Sequence, residues 1–293
     1  MIMNFIIVLA IGISLVWLLL RGFSKNKWRE PKSGISKERK QILTTKVVFY
    51  NSLSAEEKLQ FEYKIQEFLL NCRITGVNID VDLTDQILVA ASAVIPVFAF
   101  PEWKYTNLDE VLLYPGNFNE QFQMYNADSN ILGMVGSGYM EGKMILSKPA
   151  LHHGFSNESD KKNTAVHEFV HLTDKMDGNI DGLPSILLEK QYAIPWIDLI
   201  SKKIEEIYED RSDINPYGGT NKAEFFAVAS EYFFEKPKQF AETHPEIYAL
   251  MTEVFNQNMR SRNFKRSKQS LSRNSQCPCG SGLKFKKCCG RGH

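Results

Sequence analysis

The pentapeptide His167-Glu168-Phe169-Val170-His171 constrains this 293-residue chain more than any other feature. On a helix, residues four apart lie on one face, so both imidazoles can point at a single ion. Val166, Phe169 and Val170 give that helix an apolar side to bury. The chain has 6 His, and chance would produce the pattern on the order of 0.01 times in a chain of this size. A zinc ion held this way lowers the pKa of its water toward ~7, and a neighbouring carboxylate can take the proton as the water attacks a carbonyl. Glu168 stands in that place. Such a site also needs a third protein ligand and an open position. By residue type, His152, His153, His244 and several downstream carboxylates qualify.

The surrounding sequence reads as helices with few strands. Leu59, Ile65, Phe68 and Leu69 predict a helix over residues 55–71, with Ser54 and Glu57 spaced as a capping box. Further helices are predicted over 84–94, stopped by Pro96, and over 161–176, closed by Asp177-Gly178. Three more follow over 197–208, 221–235 and 245–259. A buried strand is predicted over 111–114, ended by Pro115-Gly116, and another over 143–147 within a glycine-rich loop and hairpin. Helices outnumber strands and do not alternate with them, which favours α+β over a doubly wound sheet.

Downstream of the pentapeptide, Tyr217 stands seven residues before Glu224, which opens the apolar run Phe225-Phe226. This arrangement resembles the Mlc titration factor A family of bacterial zinc peptidases, and is similar to the catalytic domain of anthrax lethal factor. The resemblance covers residues 43–257, including 85–93, Leu113-Tyr114-Pro115 and Ser230-Glu231-Tyr232-Phe233-Phe234. It implies a zincin-like body in which His167, His171 and Glu224 hold the catalytic zinc. It further implies that Glu168 is the general base and that Tyr217 donates to the developing oxyanion. Read on spacing alone, Asn221 and Glu224 could equally be a capping box, and Tyr217 a packing residue before Gly218-Gly219. Glu231 and Asp174 are candidate acceptors for the outer ring N–H of a ligand His, with Glu231 also a rival ligand.

The ends carry different chemistry. Residues 5–20 are apolar apart from Gly12 and Ser14, and Arg21, Lys25, Lys27 and Arg29 follow. About 20 such residues just span a hydrocarbon core. The trailing positive charges predict a single-pass inner-membrane anchor over 1–21, with the body in the cytoplasm. A basic linker over 22–41 would lead into a metallopeptidase body over 42–259. Residues 260–293 hold ten of the 35 basic side chains and none of the 34 acidic ones, so the rest of the chain is mildly acidic.

A flexible basic linker is expected over 260–275. Cys277, Cys279, Cys288 and Cys289 then crowd residues 276–293, where four thiolates can surround a structural zinc. So short a segment cannot hold a core without such a staple. It resembles the SEC-C motif at the end of the secretion motor SecA, which implies docking to a protein partner or ribosomes. Lys284, Lys286, Lys287 and Arg291 could instead meet RNA phosphates or serve solubility. The clustering of Cys in the tail suits a reducing compartment, and lone Cys72 reads as a buried apolar residue.

The expected function is zinc-dependent peptide hydrolysis, and the resemblance implies that it includes aminopeptidase-like cleavage of small substrates. The rival is a regulatory protein that keeps the zinc fold and sequesters a partner, such as the glucose-responsive transcriptional repressor that the resemblance implies for some members. A tail-targeted translocation or ribosome-associated factor is the third reading. Direct DNA binding is not expected. An extended peptide substrate would pair with an edge strand beside the zinc, for which residues 143–147 are the candidate.

Overall fold

Apolar side chains alternate along β strands at the middle of a small sheet, and the alternation separates two cores. The computed structural model describes residues 28–264 apart from 125, 127, 158–159 and 185–192, together with 274 and 283–287. By internal packing the chain divides into Met1–Glu30 and Pro31–His293. All that follows concerns the second unit.

In chain order the elements are α1 (Lys37–Lys46), α2 (Val48–Asn51), α3 (Ala55–Asn71), β1 (Arg73–Gly76), α4 (Leu83–Val97), β2 (Glu110–Tyr114), β3 (Gly133–Val135) and β4 (Lys143–Ser147). They continue as α5 (Lys148–Ser156), α6 (Thr164–Asp174), α7 (Ala193–Tyr208), α8 (Lys222–Glu235), α9 (Pro237–Thr243) and α10 (Pro245–Phe255). The result is a mostly helical α+β arrangement with one small sheet, ordered β1-β2-β4-β3. β1, β2 and β4 run parallel, and β3 closes the edge antiparallel to β4.

Val111 and Leu113 of β2 and Met144 and Leu146 of β4 face the helices and join the main core. Leu112, Tyr114, Ile145 and Met134 point the other way, into a small cluster with Phe118 and Ile131 from the β2–β3 connection. A one-residue slip in either strand would exchange the two faces, so the register is well determined.

Helices α6 and α8 run through the main core. Every residue from Ala165 to Asp174 is buried, as is every residue from Phe225 to Phe234. Phe169 meets Phe68 and Tyr105 edge-on, with centroids 5.7 and 5.4 Å apart. Phe226 stacks on Phe255 at 5.8 Å and meets Trp196 at 5.4 Å. Each fully buried ring contributes about 1.5–3 kcal/mol, so two helices carrying polar residues are held by their aromatic neighbours.

Several boundaries differ from the sequence reading. Pro96 lies inside the last turn of α4 rather than beyond it, where its missing N–H costs one bond, and Gln257 Nε2 caps the Ile95 carbonyl at 2.9 Å. The metal helix is shorter than predicted, starting after the N-cap Asn163 and ending in a 3₁₀ turn at Gly178 (φ 111°). α10 stops at Asn256 in the left-handed region (φ 48°). Helix α1 crosses position 41, where the basic linker was expected to end, and α5 carries His152 and His153.

The single-pass inner-membrane placement is corrected. No helix among the described residues is long and apolar enough to cross a membrane. The longest, α3, has 17 residues, of which Glu56, Glu57, Lys58, Glu62, Lys64 and Glu67 are charged. Residues 1–21, on which that expectation rested, lie outside the described residues, as do Cys277, Cys279, Cys288 and Cys289.

Candidate metal centre

The site is built on α6 and on the start of α8, the helix packed beside it. Asn163 accepts the Val166 N–H at 3.1 Å and so begins α6. One turn of helix then separates His167 from His171, and their rings meet edge-on with centroids 4.7 Å apart. Asn221 begins α8 in the same way, accepting the Glu224 N–H at 2.9 Å. The Glu224 side chain does not fold back onto the cap. It crosses to α6, placing Oε2 3.1 Å from His167 Nε2 and 3.5 Å from His171 Nε2. The two Nε2 atoms are themselves 3.1 Å apart.

These three donors can hold one metal ion. Two imidazole nitrogens and a carboxylate oxygen are a ligand set that zinc takes in open sites, at about 2.0–2.2 Å from the ion. A tetrahedron of that radius has edges of roughly 3.4 Å. The observed separations of 3.1, 3.1 and 3.5 Å lie within a few tenths of an ångström of it. The residues therefore fit the ion that the pentapeptide implies.

Electrostatics agree with the geometry. Burial pushes the His167 imidazole down, but Glu224 on one ring nitrogen and Glu231 on the other outweigh it and lift it to about 10. Burial pushes the Glu224 carboxyl up, and the bonds from His167 and His171 overcome that and hold it at about 2. Surroundings this negative favour a cation at the point where the three donors meet, whether a proton or a metal.

Glu231 lies two helical turns beyond Glu224. Its Oε1 is 2.9 Å from His167 Nδ1, and its Oε2 accepts the Asn163 N–H. One carboxylate thereby ties the first histidine to the cap of its own helix. Asp174 does not reach a ligand ring directly. Its Oδ2 accepts the Gly182 N–H at 2.8 Å, and burial pushes its carboxyl up to about 6. Gly182 (φ 79°) lies so close to α8 that a Cβ would stand 2.4 Å from the Lys222 carbonyl oxygen. Trp196 Nε1 holds its carbonyl at 2.6 Å. This loop thus braces the helix start that carries Glu224.

Glu168 is buried against the same centre, and burial raises its carboxyl pKa. Tyr217 sits on a 3₁₀ turn (Pro216–Gly219), with its ring 6.2 Å from that of His167 and the residue 55% exposed. The other histidines among the described residues are engaged elsewhere. His152 bonds Asp85 at 2.7 Å, His153 bonds Asp160 at 2.7 Å, and His244 bonds Asp213 at 2.7 Å.

The strand expected to receive substrate, Lys143–Ser147, is interior, paired on both sides. The edge beside α6 is β3, missed because a three-residue strand beginning with glycine shows no period. Its location could have been read from the glycines that bracket it, Gly133 and Gly136.

Comparison with known proteins fits this picture. Residues 22–256 match the model described as glucose-regulated metallo-peptidase M90, and residues 273–291 match the SEC-C motif. The chain is 29% identical to an uncharacterized protein of Synechocystis over 227 residues, 73% of this chain and 82% of the relative. It is 28% identical to Mlc titration factor A of Pectobacterium atrosepticum over 223 residues, 70% of this chain and 81% of the relative. Against Mlc titration factor A of Escherichia fergusonii it is 26% identical over 228 residues, 71% and 82% of the two chains. Matching that family over residues 22–256 of its 293, the chain belongs to the glucose-regulated metallo-peptidase M90 family.

Proposed function

We propose that this protein is a zinc-dependent peptidase. The observation that carries the reading is the convergence of His167 Nε2, His171 Nε2 and Glu224 Oε2 within 3.1–3.5 Å of one another. Zinc bound there supplies Lewis acidity, polarising a carbonyl and lowering the pKa of water. Glu168 accepts the proton of the attacking water and passes it to the leaving amine; its raised pKa suits both halves of that transfer. Tyr217, exposed and beside His167, donates its phenol hydrogen to the oxyanion that forms on the scissile carbonyl. Glu231 fixes the His167 ring and its tautomer from behind.

An extended peptide pairs with the free edge of β3. Ser147 N donates to Leu132 O and Gly136 N to Lys143 O, both at 2.8 Å. In an antiparallel ladder bonded and non-bonded pairs alternate. The N–H and C=O groups of Gly133 and Val135 therefore point away from β4, toward the peptide.

The chain-end roles keep their sequence basis: metallopeptidase body over 42–259, and Cys277, Cys279, Cys288 and Cys289 holding a structural zinc in the SEC-C match. A second reading draws on the relatives' name, Mlc titration factor A. In it, the body binds a protein partner and cleavage is secondary.

Cleavage of a peptide library by zinc-loaded wild type and Glu168→Gln separates the two. The peptidase reading expects a loss of roughly 10²–10⁴-fold in Glu168→Gln with zinc content unchanged. Equal cleavage by both proteins overturns it.

A further inference from the structure

We propose that Gly133 is the positioning residue for the Glu168 carboxylate, because position 133 admits nothing larger than hydrogen while Glu168 faces the metal centre. A Cβ built at 133 would lie 2.6 Å from Glu168 Cγ, 2.6 Å from Oε1 and 2.9 Å from Cδ. Real Cβ atoms do not approach other heavy atoms that closely. The side chain that would have to yield is Glu168 itself, since its outer atoms are the three nearest to the methyl.

Two further observations make this placement consequential. First, among the described residues nothing hydrogen-bonds the Glu168 carboxylate, whereas Glu224 and Glu231 are both held by such bonds. No hydrogen bond fixes its orientation, and the bare Cα of Gly133 is part of the packing around it. Second, Gly133 and Val135 turn their side-chain positions toward α6, while Met134 turns to the outer cluster. The backbone N–H and C=O of Gly133 then lie on the open edge of the sheet. One residue thus presents backbone to a substrate strand and leaves the general base its space. A scissile carbonyl paired at position 133 is held beside Glu168 with no side chain between them.

The kinetic consequence rests on the peptidase reading; the steric assignment does not. The test compares full-length wild type, Gly133→Ala and the control Gly116→Ala, where a Cβ meets nothing within 4 Å. Crystal structures of the zinc-loaded proteins are expected to show the Glu168 carboxylate displaced by about 1 Å or more in Gly133→Ala alone, with His167, His171 and Glu224 unmoved. A displacement of that size costs on the order of 10²-fold in kcat, with KM little changed and zinc content equal to wild type. Gly116→Ala is expected to match wild type throughout. Glu168 unmoved with cleavage intact in Gly133→Ala overturns the proposal, as does loss of zinc together with cleavage. If wild type itself cleaves nothing while Glu168 is displaced in Gly133→Ala, the peptidase reading fails and the steric assignment stands.

Discussion

Ser54 and Asn221 each begin a helix, and each is followed three residues later by a glutamate. In α3 the box closes. Ser54 Oγ accepts the Glu57 N–H at 3.2 Å, and Glu57 Oε2 returns to accept the Ser54 N–H at 2.8 Å. In α8 only the first half forms. Asn221 Oδ1 accepts the Glu224 N–H at 2.9 Å, and the Glu224 carboxylate leaves for two buried imidazoles. The backbone half is a local matter that any good N-cap secures. In α8 the carboxylate lies within reach of two imidazoles, and a charge-assisted bond there outweighs a neutral backbone N–H. Identical spacing therefore produces a cap in α3, where the Glu57 carboxylate also meets Arg262 at 3.0 Å, and a ligand in α8, where the partners are two buried imidazoles.

The two helix starts should respond very differently to the same change. Glu224→Ala is expected to weaken zinc binding by more than the ~10–100-fold typical of removing an outer partner, and to abolish cleavage. Glu57→Ala should leave zinc affinity at the wild-type value. Competition with a fluorescent chelator reads both, and equal affinities would break the comparison.

Glu231→Gln tests the support behind the ligand. Because it holds His167 Nδ1 at 2.9 Å, zinc affinity should fall by ~10–100-fold while Glu57→Gln changes nothing in the same titration.

Truncating the caps themselves sharpens the contrast. Ser54→Ala and Asn221→Ala should each cost about 1 kcal/mol in urea unfolding of metal-free protein. Only Asn221→Ala should also loosen zinc, since its helix start carries Glu224.

A third start, that of α4, adds a pH dependence. Asp82 and Asp85 close a box, and buried Asp85 also binds His152 at 2.7 Å and Lys148 at 2.8 Å. Burial pushes the Asp85 carboxyl up, but these bonds win and hold it below the ordinary aspartate value. A depressed carboxyl contributes stability that is complete above the unfolded pKa of about 3.9 and is lost as pH falls through the lower folded value. Asp85→Asn should thus destabilise at pH 7, with the gap from wild type narrowing below about pH 4. A gap that widens on acidification would contradict the assignment.

These contrasts also mark what was legible in the sequence. That His167 and His171 share one helix face follows from helical period alone. The strands β2 and β4 and the capping box of α3 were legible for the same reason, being local. Glu224 was not separable from a cap by spacing, and only its resemblance to a known family distinguished the two. His152, His153 and His244 qualified as ligands by residue type. Two of their partners, Asp85 and Asp213, lie 67 and 31 residues away, and no local pattern reports a pairing of that range. β3 has too few residues to show a period, so the free edge was assigned to the longer strand beside it. The apolar amino end matched the length of a membrane span, yet no described helix has the required length and character.

The central claim is that side chains from two helices grasp one ion. Anomalous diffraction at the zinc edge from crystals of the zinc-loaded protein tests it directly. The account predicts a peak about 2.0–2.2 Å from His167 Nε2, His171 Nε2 and the Glu224 carboxylate together. A peak bound by the histidines with Glu224 turned back onto Asn221, or no peak at this position, would contradict it.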